Sequence, residues 1–426
     1  MIHSARFRNF KSLRDVELEL DRLTVLVGPN ASGKTSVLEG LHHLTRLATT
    51  DPRQVFEGSA NVGVIASRGA EGTLELALSG TFRRKKGDLS VGFASIEDYP
   101  FTDTYRLESR WGDRRFSVRR ELDPPEDAAR PSAVAELPLS LVLREAAYLR
   151  FDLARLAEPA YSDLPTPVIG ADGSGLAAVV ADMAVARPDD FLRLQDALRA
   201  IIPGLLRVRL VRAKVPRHDG EAGEPRVWGH EIVFDMAGAT DIPARAASEG
   251  MLLMLGLFTA LIGPDRHELV LVDHLERAVN PRSYGELVAQ ITQVLTLDPR
   301  LQIVAVTDAP GLVDSLIAEN VRVHCLLEDG SVRIKALAVH PEYEMLRGDL
   351  KPGEFWTQVG DAWVAEETPA PTPPAEVTPV LRDAPVLRDA PFPRDAPPED
   401  APDTAPPPGT RRWPPSMPPL PGLGRL

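Results

Sequence analysis

A glycine-containing segment near the N-terminus restricts the possible folds of this chain more than any other feature. The apolar run Leu23 to Val27 before it predicts a buried β-strand, and the residues from Lys34 to about Leu47 predict a helix. Glycines let consecutive backbone N–H groups face an anion, and the helix N-terminus presents its dipole to the same anion. The segment therefore predicts a phosphate-binding loop between a strand and a helix. Its residues are Gly28, Pro29, Asn30, Ala31, Ser32, Gly33, Lys34 and Thr35.

The last two residues of this loop, together with a later strand, predict the ligands. Lys34 is expected to reach the β and γ phosphates of a nucleotide, and Thr35 to ligate Mg²⁺. The run Leu269 to Asp273 is an apolar strand that ends in a carboxylate, as expected of the Walker B strand whose aspartate holds the Mg²⁺ shell. We therefore predict ATP and Mg²⁺ as cofactors, with Thr35 and Asp273 as the metal ligands.

Composition and charge argue against several other classes of protein. A net charge of −13 over 426 residues is unlike a wholly basic protein that coats nucleic acid. Cys325 is the single cysteine, which excludes an internal disulfide framework and fits a reducing compartment. The longest apolar run, Met251 to Ile262, is shorter than the roughly 20 residues of a membrane-spanning helix. We predict a cytoplasmic location and no membrane partner.

The order of the predicted elements indicates an α/β fold over residues 1–364. Strands beside the loop and strands between residues 269 and 327 predict one sheet built from both ends of the chain. A β-rich, antiparallel insertion is predicted at about 60–125 and a helical segment at about 140–203. Residues 365–426 carry 19 of the 40 prolines and few apolar residues, which predicts a disordered Pro-rich tail.

Four further segments, together with the loop, resemble a known family over nearly all of residues 1–364. Phe7 to Leu13 is similar to its opening strand, Gly170 to Leu176 to its mid-chain element, and Glu354 to Trp356 to its closing aromatic segment. Ala247 to Met251 is similar to its serine-acidic-glycine signature. The family is that of the ABC-type ATPases of the RecF and SMC kind, in the stand-alone bacterial branch often labelled AAA family ATPase.

The resemblance implies a P-loop NTPase with an ABC/RecF-like mixed sheet, and it implies an assembly. In this family the signature of one subunit closes over the γ-phosphate held by another, so Ser248 and Gly250 are expected to contact ATP within a homodimer. A helix N-terminus can donate hydrogen bonds to a phosphate in this way. Ser248 also suits the plain role of a helix N-cap, and both roles can hold together.

Two positions depart from the family pattern. His274 stands where the family has its catalytic glutamate after Asp273, and Asp308 stands where it has a switch histidine. In one interpretation His274 and Asp308 form an exchanged pair that still activates water, giving a slow ATPase. In another, ATP binds and closes the dimer without hydrolysis. A third uses Glu276 as a displaced base, although a structural role in the turn suits it as well.

The sequence leaves the biological role and the partners open. The resemblance suggests DNA maintenance or phage defence, by analogy of fold and motif. The alternative is a non-hydrolysing, nucleotide-gated switch or scaffold whose tail recruits a partner. Arg83 to Lys86 and Arg119-Arg120 are candidates for nucleic-acid contact or for solvated turns. Because the sequence lacks an acidic cluster typical of a nuclease, cleavage would need a nuclease partner, and no glutamine suits the family's Q-loop.

Overall fold

The structure is a computed structural model that describes residues 1–57, 61–69, 72–93, 104–121, 137–216, 227–265, 267–277 and 279–366. The predicted Pro-rich tail lies outside the described residues from position 367 onward, and so does the side chain of Arg120.

The strands of the described ranges pair into three sheets. They are β1 (Ile2–Phe10), β2 (Leu13–Glu19), β3 (Leu23–Val27), β4 (Leu74–Phe82), β5 (Lys85–Phe93), β6 (Thr104–Trp111), β7 (Arg114–Glu121), β8 (Ala147–Leu149), β9 (Leu205–Val215), β10 (Val227–Met236), β11 (Ala239–Pro243), β12 (Leu269–Val272), β13 (Gln302–Val306), β14 (Val321–Leu326) and β15 (Val332–Ala336).

The α-helices range from single turns to fourteen residues. They are α1 (Lys34–Arg46), α2 (Pro52–Val55), α3 (Val62–Ile65), α4 (Leu153–Ala157), α5 (Leu176–Ala186), α6 (Pro188–Ile201), α7 (Glu249–Ile262), α8 (Tyr284–Leu297), α9 (Pro310–Val313), α10 (Tyr343–Leu346) and α11 (Pro352–Val359). Short 3-10 segments are Pro138–Leu141, Ala244–Ala246, Pro281–Ser283, Ala318–Asn320, Leu337–Val339 and Ala362–Ala365.

The central sheet has the strand order β15-β14-β3-β13-β12-β8, and its pairs are parallel except for the antiparallel edge strand β15. Every residue of β3, β12 and β13 is buried, which explains why these strands are continuous apolar runs. N-terminal β3 lies between β13 and β14, so the prediction of one sheet built from both ends of the chain is confirmed.

The second sheet is antiparallel, with the order β2-β1-β4-β5-β6-β7. The β-rich, antiparallel insertion predicted at about 60–125 is present as β4 to β7. Because β4 pairs with β1, the insertion extends the N-terminal hairpin. Strand β5 was not predicted, because Gly87, Gly92 and two lysines hide its alternation of buried residues. Its inner face packs on α1 in a core that includes Phe7, Leu41 and Val91.

A buried side chain joins the two large sheets. The amide of Gln302, the first residue of β13, accepts a hydrogen bond from Ile2 N at 3.0 Å and donates to Ile2 O at 2.8 Å. It also donates to Asp21 O at 2.9 Å. Because Gln302 is 1% exposed, these bonds are shielded from water and fix the start of β1 beside the central sheet.

Helices α5 and α6 pack on the three-stranded sheet β11-β10-β9, and α7 packs on these two helices. Pro188 starts α6 directly after α5, since a residue before proline disfavours helical backbone. The segment 140–203, predicted as helical, also contains strand β8, which is too short for its periodicity to show in the sequence. Among the described residues, no helix combines the length and apolar composition needed to cross a bilayer.

Candidate nucleotide site

The loop between β3 and α1 has the backbone that its glycines predict. Gly28 has φ +143°, and a Cβ there would lie 2.5 Å from the carbonyl oxygen of His324. Gly33 has φ +79° and stands directly before the first residue of α1. A side chain at either position would therefore be strained or would clash. Gly28 allows the tight approach of the loop to β14, and Gly33 lies against Ser12 and Leu13.

Lys34 is folded back onto its own loop. Its ammonium group donates to the carbonyl oxygens of Gly28 at 2.7 Å and Pro29 at 2.9 Å. A third contact, at 3.1 Å, joins Lys34 Nζ to Asp308 Oδ1, with the lysine side chain 7% exposed. A phosphate that bound at this loop would compete with Asp308 for the same ammonium group.

Thr35 and Asp273 meet across the central sheet. Thr35 Oγ1 donates to Asp273 Oδ2 at 3.1 Å, while Asp273 Oδ1 is buried and has no hydrogen-bond partner in the described structure. Hydroxyl and carboxylate oxygens are the hard ligands that Mg²⁺ prefers, and a buried carboxylate oxygen without a partner is costly unless something binds it. These two residues therefore fit the predicted Mg²⁺ site.

The turn after β12 brings together residues that are distant in sequence. Leu275 N donates to Val306 O at 2.9 Å, which ties the turn to the end of β13. His274 has φ +54°, a conformation uncommon for a residue with a side chain. Its Nδ1 lies 3.5 Å from Glu276 Oε1 and 3.9 Å from Asp308 Oδ2. The predicted histidine and aspartate are thus neighbours, and Glu276 is nearer to the imidazole than Asp308.

Glu276 is closer to the centre of this cluster than the sequence predicted. Its side chain is 18% exposed and points into the cluster, and its Oε2 is buried without a hydrogen-bond partner among the described residues. A buried carboxylate oxygen without a partner is costly unless something binds it, which is unlike a purely structural role. The spacing of two residues between His274 and Glu276 did not indicate this arrangement. Such a spacing places both side chains on one face only in a regular strand, and these two residues lie in a turn.

A cavity of about 230 Å³ lies over the loop. The loop residues from Asn30 to Ser36 line it together with His274 and Asp308. Ser248 and Gly250 are not among its lining residues within one chain. Ser248 is exposed and caps α7, accepting a hydrogen bond from Met251 N at 3.4 Å. Its predicted contact with ATP therefore requires a second subunit.

A buried histidine supports the loop from below. His324, on β14, is fully buried, and its Nδ1 lies 2.9 Å from the carbonyl oxygen of Ser32. Burial lowers the pKa of His324 to about 4, so the imidazole is neutral at neutral pH. No local sequence pattern indicates this role, because a histidine in an apolar strand is not linked to any local motif.

Strand β8 places Arg150 beside Asp273. Leu149 pairs with Val272, so the residues that follow these two strands lie level at the same sheet edge. The guanidinium of Arg150 donates to Glu39 on α1 at 2.8 Å and to the hydroxyl of Tyr148 at 2.9 Å. Burial raises the pKa of Tyr148 to about 12, so the hydroxyl stays protonated. The residue that follows β8 at this edge of the central sheet is therefore an arginine and not a glutamine.

The fold agrees with the comparisons to known proteins. The family model described as "AAA domain, putative AbiEii toxin, Type IV TA system" matches residues 23–314, more than half of the chain. The chain belongs to this family. No curated protein matches it in sequence. The predicted kinship with ABC-type and SMC-like P-loop ATPases is confirmed by this match together with the structural neighbours.

Solved SMC heads share the fold of this AAA-family chain. An SmcHead bound to the C-winged helix domain of ScpA is 14% identical, with 81% of this chain and 99% of that chain covered at a TM-score of 0.53. The Smc head domain of Pyrococcus furiosus, with an extended coiled coil and bound to the C-terminal domain of ScpA, is 12% identical, with 82% and 98% covered at a TM-score of 0.51. At these identities the likeness concerns the fold, and it confirms the predicted mixed α/β P-loop class.

Proposed function

We propose that this protein binds MgATP at the loop 28–35. Lys34 would leave Asp308 for the β and γ phosphates, and Thr35 and Asp273 would hold Mg²⁺. The observation that carries the proposal is the 3.1 Å contact of Thr35 Oγ1 with Asp273 Oδ2, beside the buried, unpartnered Asp273 Oδ1. Asn30, Ala31, Ser32 and Gly33 would supply the loop around the phosphates, with Gly28 and Pro29 at its start.

We further propose that the site hydrolyses ATP slowly. A base must lie within hydrogen-bond reach of the attacking water, and such contacts are often longer in a ligand-free enzyme. His274 lines the cavity, and its Nδ1 faces the carboxylates of Glu276 and Asp308. His274 would act as the base and one of these carboxylates would orient it, while Asp273 positions the metal ion.

The proposed active form is a homodimer around ATP. Ser248 is exposed at the start of α7, and Arg277 of the turn after Asp273 donates to Glu249 at 2.8 Å. This ion pair links the signature segment to the nucleotide turn of the same chain. Nucleotide-dependent dimerisation that is lost in Ser248→Arg, measured by light scattering after size exclusion, would support the arrangement. A monomer under saturating MgATP would contradict it.

We propose a cytoplasmic role in defence or DNA maintenance. The family description, which names a type IV TA system, favours the defence alternative. Nucleic-acid contact is proposed at the β4–β5 turn, where Arg83 and Arg84 have φ +48° and +66°. Lys85 lies over the ring of Trp111 on the neighbouring hairpin, 5.3 Å from its centroid. Salt-dependent DNA binding that disappears when the four residues Arg83 to Lys86 become serine would support this contact.

A second candidate function is a non-hydrolysing, nucleotide-gated switch whose tail recruits a partner. One observation favours it: Asp308 holds Lys34 at 3.1 Å, so nucleotide binding has to exchange one ion pair for another. Such an exchange couples the presence of nucleotide to the position of the strand end that carries Asp308. It needs no turnover.

Phosphate release in saturating MgATP separates the two functions, with Lys34→Ala as the background control. Turnover above that background, lost in His274→Ala and kept in His3→Ala, would establish a hydrolase that uses His274. Nucleotide binding by equilibrium dialysis without turnover would establish the switch. Loss of turnover in Glu276→Gln, with Asp308→Asn active, would identify Glu276 as the carboxylate that orients the imidazole.

A further inference from the structure

His274, Glu276 and Asp308 form a mixed cluster of possible metal ligands. One atom from each side chain, an imidazole nitrogen or a carboxylate oxygen, lies within 4.8 Å of the other two. The three residues come from two segments, the turn after β12 and the residues after β13. Among the described residues, this is the group that the geometry singles out for a cation beyond the Thr35 and Asp273 pair.

The distances suit a transition metal. Metal bonds of about 2.1 Å at tetrahedral angles place ligand atoms about 3.4 Å apart. The separation of His274 Nδ1 from Glu276 Oε1 is 3.5 Å, and that from Asp308 Oδ2 is 3.9 Å. His274 and Asp308 are 53% and 38% exposed, so small side-chain rotations can close the remaining gap.

Two carboxylate oxygens nearby lack partners. Glu276 Oε2 and Asp273 Oδ1 are both buried, and neither accepts a hydrogen bond in the described structure. His274 Nε2 lies 4.0 Å from that Asp273 oxygen, on the side of the ring away from Glu276. The ring therefore presents Nδ1 to the cluster, while Nε2, at 4.0 Å from Asp273, is too far from that carboxylate for a hydrogen bond.

Charge balance gives the cluster a reason to bind a cation. Lys34 now neutralises Asp308 at 3.1 Å. If Lys34 moves to a phosphate, as proposed above, the carboxylates of Asp273, Glu276 and Asp308 remain close together beside a further anion. One Mg²⁺ compensates part of this charge, and a second cation would compensate the rest.

We propose that His274, Glu276 and Asp308 bind a first-row divalent transition metal such as Zn²⁺, separate from the Mg²⁺ at Thr35 and Asp273. One nitrogen and two oxygen ligands match the preferences of Zn²⁺ and leave at least one position open. His274 and Asp308 line the cavity over the loop, so that position faces the nucleotide side. The metal binding itself does not depend on ATP turnover, since it uses residues of the free protein. It is an alternative to the role of His274 as general base, because one imidazole nitrogen cannot both ligate a metal ion and donate to an orienting carboxylate.

Titration of the nucleotide-free, untagged full chain with Co²⁺, followed by visible absorption, tests the proposal. We expect one saturating site that Zn²⁺ displaces. Binding should weaken at least about tenfold in His274→Gln and in Glu276→Gln. It should remain within about twofold in Thr35→Ala, which removes a ligand of the Mg²⁺ site. Equal loss in Thr35→Ala, or full binding by His274→Gln, would overturn the proposal.

Lys34→Ala provides a test in the opposite direction. Removing the ammonium group frees Asp308, so Co²⁺ binding should tighten about two- to fivefold, while ATP binding should fall. This result also separates the metal site from the proposed nucleotide function, because the affinity for Co²⁺ rises while the affinity for ATP falls. If the glutamine variants have lower melting temperatures than the wild type, X-ray absorption of the Zn²⁺-loaded wild type is the deciding measurement. We expect an imidazole nitrogen among the zinc ligands. A ligand shell without nitrogen would refute the site.

Discussion

Two aspartates of this protein, the buried Asp235 and the half-buried Asp273, have opposite surroundings. Asp235, on β10, is 2% exposed and accepts hydrogen bonds from Arg207 at 2.7 Å and from Arg209 at 2.7 and 2.8 Å. It also accepts one from Asp241 N at 2.9 Å. The hydrogen bonds from Arg209 hold the pKa of Asp235 well below its usual range. Asp273 is 21% exposed, has one hydrogen bond from Thr35 and keeps a buried oxygen without a partner.

The difference distinguishes a carboxylate with a structural role from a carboxylate that is available to a ligand. A buried charge that is fully paired fixes the geometry of the strands that carry it. A buried charge that is partly paired lowers stability until a cation reaches it. Asp235 thus fastens β9, β10 and β11 together, while the open oxygen of Asp273 is available to a metal ion. The following experiments test this contrast.

The largest expected effect is on nucleotide turnover. Asp273→Asn removes the proposed metal ligand but keeps the side-chain size, so we expect phosphate release to fall by about 100-fold. Asp235 lies on the three-stranded sheet, away from the loop. Asp235→Asn should therefore leave phosphate release within about twofold when folded protein is compared. Equal losses in the two variants would contradict the assignment of separate roles.

In thermal stability we expect the opposite order, with Asp235→Asn more damaging than Asp273→Asn. Asp235→Asn breaks a buried network and leaves Arg207 and Arg209 without their acceptor, so the melting temperature should fall by roughly 5 °C. Asp273→Asn removes a half-buried charge with one unpartnered oxygen and should leave the melting temperature unchanged or raise it. Differential scanning fluorimetry without nucleotide measures both. A clear loss in Asp273→Asn alone would refute the contrast.

A smaller effect concerns the ion pair of Lys34 with Asp308. Asp308→Asn removes the competitor for the ammonium group and one negative charge beside the phosphate site. We expect ATP to bind about two- to fivefold more tightly, since the aspartate is partly exposed and the pair is correspondingly weak. Isothermal titration with a non-hydrolysable ATP analogue measures the change, with Asp314→Asn, after the same strand, as the matched control. Weaker binding would show that Asp308 supports the nucleotide.

The last experiment concerns the buried imidazole beneath the loop. His324 has a pKa of about 4 in the folded chain, below its ordinary value of 6.5, and burial causes the shift. The folded state therefore loses stability as the pH falls from 6.5 to 4, because the unfolded chain takes up the proton first. His42 and His43, also lowered to about 4 by burial, contribute over the same range.

His324→Gln should remove about a third of this pH-dependent loss, since three buried histidines share it. Urea unfolding at pH 7.5, 5.5 and 4.5, at intervals spanning this range, gives the free energy of unfolding for each variant. His3→Gln, at an exposed position, is the matched control and should keep the wild-type slope. An unchanged slope in His324→Gln would show that this imidazole is accessible to protons in the folded chain.

Local patterns predicted the elements closest to the chemistry. Strand β3 was predicted with its observed bounds, Leu23–Val27, because a buried parallel strand is a continuous apolar run. Helix α7 was predicted from Met251 and begins two residues earlier at Glu249, after its cap Ser248. Among the strands that were missed, β5 contains two glycines and β8 has three residues. In both, pairing with neighbours determines the strand more than local sequence does.

The sequence by itself determined the phosphate-binding loop, because the residues that shape it are consecutive and the glycine positions fix its backbone. It also determined the apolar strand that ends at Asp273. Only the tertiary structure decided that Lys34 pairs with Asp308 and that His274 lies between Asp308 and Glu276. The physical reason is that β3, β13 and β12 are adjacent and parallel, so the residues after their C-terminal ends meet at one edge. Sequence separation carries no record of which strands become neighbours.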